Sequence, residues 1–257
     1  ALSYGLQFDS DGNVISYEIM PSVIGRVSSM TYDQADALIR QSPETLQSQT
    51  DALHARILHR LKDLAMKHRK QRILKGAVVL DMPRAELSVK NNGDEIELHV
   101  MRDTQSPSRT TVAELMVVVG EVTAMFAKDH NIPIPYRSQR RRNGASTVVA
   151  VDNESGSDGE WEHVLLKQLD QLSRLGPTIT QAEPAPHHGV GVEAYCQATS
   201  PIRRYSDLLV HQQVKSVLRN ELPPFDQVRL KLNQLFLMPS SLTTFSQCAT
   251  EQDPRYN

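Results

Sequence analysis

Residues 195–215 read YCQATSPIRRYSDLLVHQQVK, and the fold reading turns on the run TSPIRRY at 199–205 inside it. Ser200 is a good helix N-cap, and Pro201 suits the first helical position, where an N–H would have no partner anyway. A long amphipathic helix is therefore expected to open here. Helical spacing sends Ile202, Leu209 and Val210 toward a core and points Arg203 along a different face. On this reading Arg203 and Arg204 fall in the first turn, beside free backbone N–H groups and the positive end of the helix dipole. Two guanidinium forks at that end suit a phosphate or a developing phosphate charge. Spacing alone leaves open the alternative that both arginines are solvated or salt-bridged.

Upstream of this helix the chain alternates strand and helix signals. Runs 1–8 and 13–24 are strand-like and joined by Asp9-Ser10-Asp11-Gly12, whose Asp-Gly pair predicts a hairpin. Thr31 caps a helix over 32–39, and leucines at helical spacing predict a longer one over 44–75, basic toward its end. Past Gly76, short strands are expected at 77–80, 86–89 and 95–101, separated by Pro83 and Asn91-Asn92-Gly93. A helix then begins at Thr111, carries Leu115, Met116, Val119, Val122, Met125 and Phe126, and ends near Asn131 before Ile132-Pro133-Ile134-Pro135. Within it Thr111-Val112-Ala113-Glu114 reads as a capping box. From 137 to 159 the composition turns basic and then small and acidic, which predicts a surface loop, flexible over 138–160. A short helix at 160–175 and prolines at Pro184 and Pro186 lead to His187-His188-Gly189-Val190-Gly191. The two histidines have no Cys or acidic partner at metal-ligand spacing, so they read as loop structure.

At 257 residues and 39% hydrophobic content, the chain can bury a substantial core. Lys and Arg number 28 against 30 Asp and Glu, a formal charge of -2, so any polyanion affinity must come from a local basic surface. Two cysteines, Cys196 and Cys248, do not build a disulfide framework and fit a reducing intracellular compartment. No apolar run approaching about 20 residues is evident, so no membrane partner is expected. The chain opens at Ala1 directly in a strand-like run and ends at 255–257 without a helix stop, so it is expected to be cut from something longer.

With these motifs in view, 195–215 resembles the signature of the ribonuclease II and ribonuclease R (RNB domain) exoribonuclease family. In family order stand His187-x-Gly189-Val190-Gly191, Ala113-Glu114-Leu115-Met116 followed by Gly120-Glu121-Val122, 131–137 (NIPIPYR), and Met30-Thr31-Tyr32-Asp33. TSPIRRY is highly specific and the others are individually weak. The resemblance implies a mixed α/β (α+β) fold, a mostly antiparallel sheet packed against long helices. It also implies that 1–257 is a single partial RNB-type domain with no S1 domain.

The implied activity is Mg²⁺-dependent 3′-to-5′ hydrolysis of single-stranded RNA ends to nucleotides. By the resemblance Arg203 contacts the phosphate at the scissile end, with Arg204 a second basic residue beside it. Glu251 stands where the family has a glutamate near the terminal nucleotide, and Glu114 matches an acidic position that meets that nucleotide. Tyr205 joins the candidate RNA contacts, although its helix face, like that of His211, reads as packing. The family's metal-holding aspartate cluster, two hard cations being best held by carboxylates, is not in this chain and is expected upstream of Ala1. Mg²⁺ is thus expected for the complete enzyme and not for these residues alone. Leu87 stands near a position where many bacterial members carry a base-stacking phenylalanine, a contact worth about 1 to 3 kcal/mol.

Three readings follow: half of a ribonuclease, an inactive RNB-like remnant serving as an RNA-binding or scaffold component of a larger ribonucleoprotein such as an organellar ribosome, or a protein-interaction module. The stretch 130–145 is similar to plant-type organellar members, which points to mitochondrion or chloroplast.

Overall fold

Asp9 makes the first turn. Its Oδ1 accepts from the backbone N–H groups of Asp11 (2.9 Å) and Asn13 (2.8 Å), while Gly12 takes a φ of 94° that favours glycine. The turn joins β1 (Leu2–Phe8) to β2 (Val14–Pro21), an antiparallel pair from Leu2 opposite Pro21 to Phe8 opposite Val14. Leu2, Tyr4, Leu6 and Phe8 alternate inward onto the core. The computed structural model describes residues 1–25, 27–79, 84–92, 95–103, 106–142, 166, 169–221 and 223, with only the backbone of 84–92 and 95–103.

Thr31 caps α1 (Tyr32–Ile39), as the sequence predicts, and the structure adds a full capping box with Gln34. After a 3₁₀ turn at Pro43–Thr45, α2 (Gln49–Leu74) follows, capped by Ser48. Next come β3 (Arg84–Asn92) and β4 (Glu95–Asp103), longer than their signals and in antiparallel register throughout. Residues 77–79 are not a strand, contrary to expectation.

The next helix, α3 (Pro107–Asp129), starts earlier than its sequence signal because Ser106 caps it, its Oγ accepting from Arg109 N–H at 3.2 Å. Thr111 is thus an interior residue and the capping box at 111–114 does not form. α3 holds an 18-residue stretch of mean hydropathy 1.5 and is long and apolar enough to cross a bilayer, where the sequence reading expected no such run; here half of that stretch is buried inside the fold.

The expected surface loop is corrected at its start. Tyr136–Arg141 is strand β5, antiparallel to β6 (Leu175–Gln181) where a helix end and connector were expected. Buried Tyr136 and Ser138 alternate with more exposed neighbours, the period-2 pattern that the basic composition hides. Residues 143–160 of the expected flexible loop lie outside the described residues.

The last helix among the described residues, α4, spans Tyr205–Leu218. Among the described residues the strands pair antiparallel, as expected for a mixed α+β fold, and form three two-stranded sheets. The core gathers Val118, Val122 and Phe126 of α3 with Ile132, Ile134 and Tyr136, the segment 194–198, and Val210 and Val214 of α4. Each fully buried valine contributes roughly 1.5 to 3 kcal/mol. Gly120 permits the close approach of 194–198, since a Cβ there would lie 2.5 Å from the Cys196 carbonyl oxygen.

Candidate functional site

The TSPIRRY segment folds as a turn ahead of its helix. The N–H groups of Arg203 and Arg204 both donate to the Ser200 carbonyl, at 3.2 and 3.0 Å, and α4 begins only at Tyr205 with Arg204 as an extended N-cap. The expected start at Ser200 and Pro201 is therefore corrected by four residues. The cause is Asp207, whose fully buried carboxylate accepts from Ser200 N–H (2.8 Å), Arg204 Nη2 (2.6 Å) and Ser206 Oγ (3.1 Å). A carboxylate without solvent needs such partners, and gathering them bends 200–204 back over the helix start. Arg204 Nη2 also reaches Thr199 Oγ1 at 3.3 Å, so this guanidinium is largely committed to the turn.

Arg203 is not held in this way. It is exposed at the crest of the turn, next to Ile202, which is fully exposed, and Tyr205, which is 60% exposed. Ile202 was expected in the core and Tyr205 was read as packing; both instead face outward. Leu209 and Val210 are buried as expected, and His211 Nε2 donates to the Ala198 carbonyl at 2.7 Å, consistent with its packing reading. Arg203, Arg204 and Tyr205 are thus contiguous, Glu114 lies in a separate cluster, and Glu251 lies outside the described residues.

Glu114 is 5% exposed and enclosed by Arg72 of α2, whose Nη2 lies 2.5 and 2.6 Å from the two carboxylate oxygens and whose Nε adds a bond of 3.1 Å. Arg72 Nη1 donates to the Val190 carbonyl at 2.5 Å, which ties the 187–191 loop to α2. Burial alone would raise the Glu114 carboxyl, but the neighbouring His68 ring and the hydrogen bonds and charge of Arg72 hold it below its ordinary value. His68 Nε2 bonds Glu121 at 3.1 Å, and its Nδ1 stands 3.8 Å from Glu114. Burial opposes the charged ring, yet Glu114 and Glu121 together raise its pKa. A cavity of about 300 Å³ opens beside this cluster, lined in part by His68, Glu121, Asp129 and Glu193. The sequence reading gave Glu114 as a cap residue or, by the resemblance, a contact to the terminal nucleotide, and did not find its partners Arg72 and His68 on another helix.

Beyond Arg72, Gly191 packs against α2 at a φ of 77°, where a Cβ would meet the Arg72 carbonyl oxygen at 2.7 Å. His187 Nδ1 accepts from Val190 N–H at 3.2 Å, and its ring stands edge-on to Tyr195 with centroids 5.7 Å apart. Burial, and then the Arg137 charge, push the His187 pKa down to about 4, so the ring is neutral and serves the loop. Among the described residues no three His, Cys, Asp or Glu side chains gather to hold a metal. The buried carboxylates of Glu114 and Asp207 are taken by arginines, so these residues do not fit a Mg²⁺ pair.

Comparison with known proteins bears on the same segments. The RNB domain family model matches residues 1–220. An uncharacterized ribonuclease of Synechocystis is 33% identical over 245 residues, which cover 94% of this chain and 33% of that protein. The chloroplastic/mitochondrial ribonuclease II of Arabidopsis thaliana is 30% identical over 222 residues, covering 85% and 25%. Among solved structures, Mycoplasma genitalium RNase R in complex with ribose-methylated single-stranded RNA aligns with a TM-score of 0.66 at 20% identity, over 92% of this chain and 40% of that one. The chain spans a quarter to a third of the length of these two curated relatives. A family match that runs from the opening hairpin through the TSPIRRY turn to the end of α4 leaves one assignment: this chain belongs to the RNB domain family.

Proposed function

We propose that the chain is part of a 3′-to-5′ exoribonuclease of the ribonuclease II/R type, and that these residues supply contacts to the 3′ end of single-stranded RNA. The observation that carries the reading is the division of labour in TSPIRRY. Arg204 is spent on the buried Asp207 and so fixes the turn, which leaves Arg203 exposed on a rigid base with its fork open to a phosphate. Tyr205, two residues on from Arg203 and exposed, offers a ring to the adjoining sugar or base. Glu251 keeps its place in this reading as a carboxylate near the terminal nucleotide. Glu114, closed off under Arg72, supports the 187–191 loop and does not meet RNA.

The complete enzyme is expected to require Mg²⁺, held by carboxylates other than those described here; the ion would activate water and stabilise the leaving oxygen. This chain's share is to bind and orient the phosphate at which that chemistry occurs. Relatives named for chloroplast and mitochondrion support an organellar location.

A second reading, an RNB-like RNA-binding or scaffold component that no longer hydrolyses, draws on the engagement of Glu114 and Asp207 by arginines. One experiment separates the two. The full-length protein should shorten a 3′-tailed RNA in Mg²⁺, and Arg203→Ala should slow that by about 10- to 100-fold, the loss of one charge-assisted contact of roughly 1.5 to 3 kcal/mol. Binding without shortening would favour the scaffold, and full activity in Arg203→Ala would overturn the role given to Arg203.

A further inference from the structure

Helix α2 carries seven Lys and Arg against two Asp in 26 residues, within a chain whose formal charge is -2. Its cations are not spread evenly. At about 100° per residue, Ala65, His68 and Arg72 share the buried side, whereas Arg56, Arg60, Lys67 and Lys70 fall on the opposite side within an arc of about 80°. All four are exposed, and from Arg56 to Lys70 they run about 21 Å along the helix. Acidic neighbours are few. Asp63 lies on the same stripe, Glu44 is within electrostatic reach of Arg56, and the hairpin turn bearing Asp11 borders the far end through Gln71.

We infer that this outer face of α2 binds the sugar-phosphate backbone of RNA upstream of the 3′ end, a second contact surface separate from the Arg203 turn. The inference rests on the RNA reading above and extends it from the end of the substrate to its body. A straight row of cations this long matches a regular line of anions, which the phosphates along the facing side of an RNA duplex supply. A lipid surface is the poorer match. A helix lying on a membrane needs an apolar face to insert, but the side of α2 opposite the cations is packed under His68 and Arg72, and of its exposed large apolar residues, Leu53, Ile57, Leu61 and Leu74, none falls within 62–73 beside Lys67 and Lys70. The four cations would hold the body of a structured RNA while its single-stranded tail reaches Arg203.

The test uses the full chain with Arg56→Gln, Arg60→Gln, Lys67→Gln and Lys70→Gln combined, and two probes: an RNA duplex carrying a 3′ single-stranded tail, and the tail alone. Kd is measured for each from low to moderate KCl. The variant should bind the tailed duplex at least tenfold more weakly and lower the slope of log K against log salt by about 3, since each phosphate contact contributes about 0.7 to 0.9. Its affinity for the tail alone should stay within twofold. A charge-conserving variant with Arg56→Lys and Arg60→Lys should bind both probes as the unaltered chain does, which separates charge from folding.

Unchanged duplex affinity, or equal loss on both probes, overturns the inference while leaving the RNA reading standing. Failure of the unaltered chain to bind either probe overturns both. Loss of binding to phosphatidylserine vesicles, with duplex affinity retained, would assign the stripe to a membrane and overturn it as well.

Discussion

Arg72 and Arg203 are the same residue type put to opposite use. In the seam between α2 and α3, Arg72 is 6% exposed and spends its guanidinium on Glu114 and the Val190 carbonyl. In the turn before α4, Arg203 is exposed while its neighbour Arg204 does the structural bonding to Asp207. Charge does not distinguish the two sites; unspent bonding capacity does. Buried arginine fixes the frame, and exposed arginine on a fixed turn is available for a ligand.

The largest effect that could break this contrast is on stability. Arg72→Met leaves Glu114 buried without its partner and should cost about 3 to 5 kcal/mol in urea unfolding, whereas Arg72→Met with Glu114→Leu should recover much of that. A loss below about 1 kcal/mol for the single change would mean the seam is not closed by this pair. Arg203→Ala should leave the urea midpoint unchanged while lowering RNA affinity or turnover, the reverse pattern.

Gly191→Ala comes next. It forces a Cβ onto the Arg72 carbonyl at positive φ and should destabilise by roughly 1 to 3 kcal/mol, with a lower melting temperature as the readout.

Two histidines sharpen the comparison through pH. His187 has a folded pKa of about 4 against an ordinary 6.5, so its contribution to stability is present above pH 6.5 and is lost as pH falls toward 4. His187→Gln should therefore flatten the loss of stability across that window. His68 is shifted the other way: its contribution is full below pH 6.5 and fades as pH rises through the raised folded value. His68→Gln should consequently destabilise more at pH 5.5 than at pH 8.5. The smallest effect expected is that of Ile202→Ser, within about 0.5 kcal/mol, because the side chain is fully exposed.

Local signals were legible in the chain and distant partnerships were not. Asp-Gly placed the first hairpin, Thr31 placed the start of α1, and leucine spacing found α2. Each is decided by residues a few positions apart. Arg72 and Glu114 find each other only after two helices pack, and neither helix's periodicity names the pair. Strand β5 was hidden because its partner lies some 40 residues on, so a basic composition outweighed a short alternating pattern. At the candidate site, TSPIRRY directed attention to Arg203, which the structure places exposed at the turn. Ser-Pro imitated a helix start, however, since the effect of a carboxylate at Asp207 on the backbone of Ser200 is not a local propensity. Ile202 was misplaced by the same error, because its direction was counted from a helix that had not yet begun.

Cys196 sits where α3, the 194–198 segment and the core meet, fully buried with its Sγ against the Gly120 carbonyl, and burial drives its thiol pKa far above the ordinary value. A thiol so placed is chemically silent until the molecule opens. In a Cys248→Ser background, the rate at which a thiol reagent labels Cys196 would serve as a clock for the separation of α3 from the 194–198 segment. That clock reads the lifetime of the native state with no denaturant added.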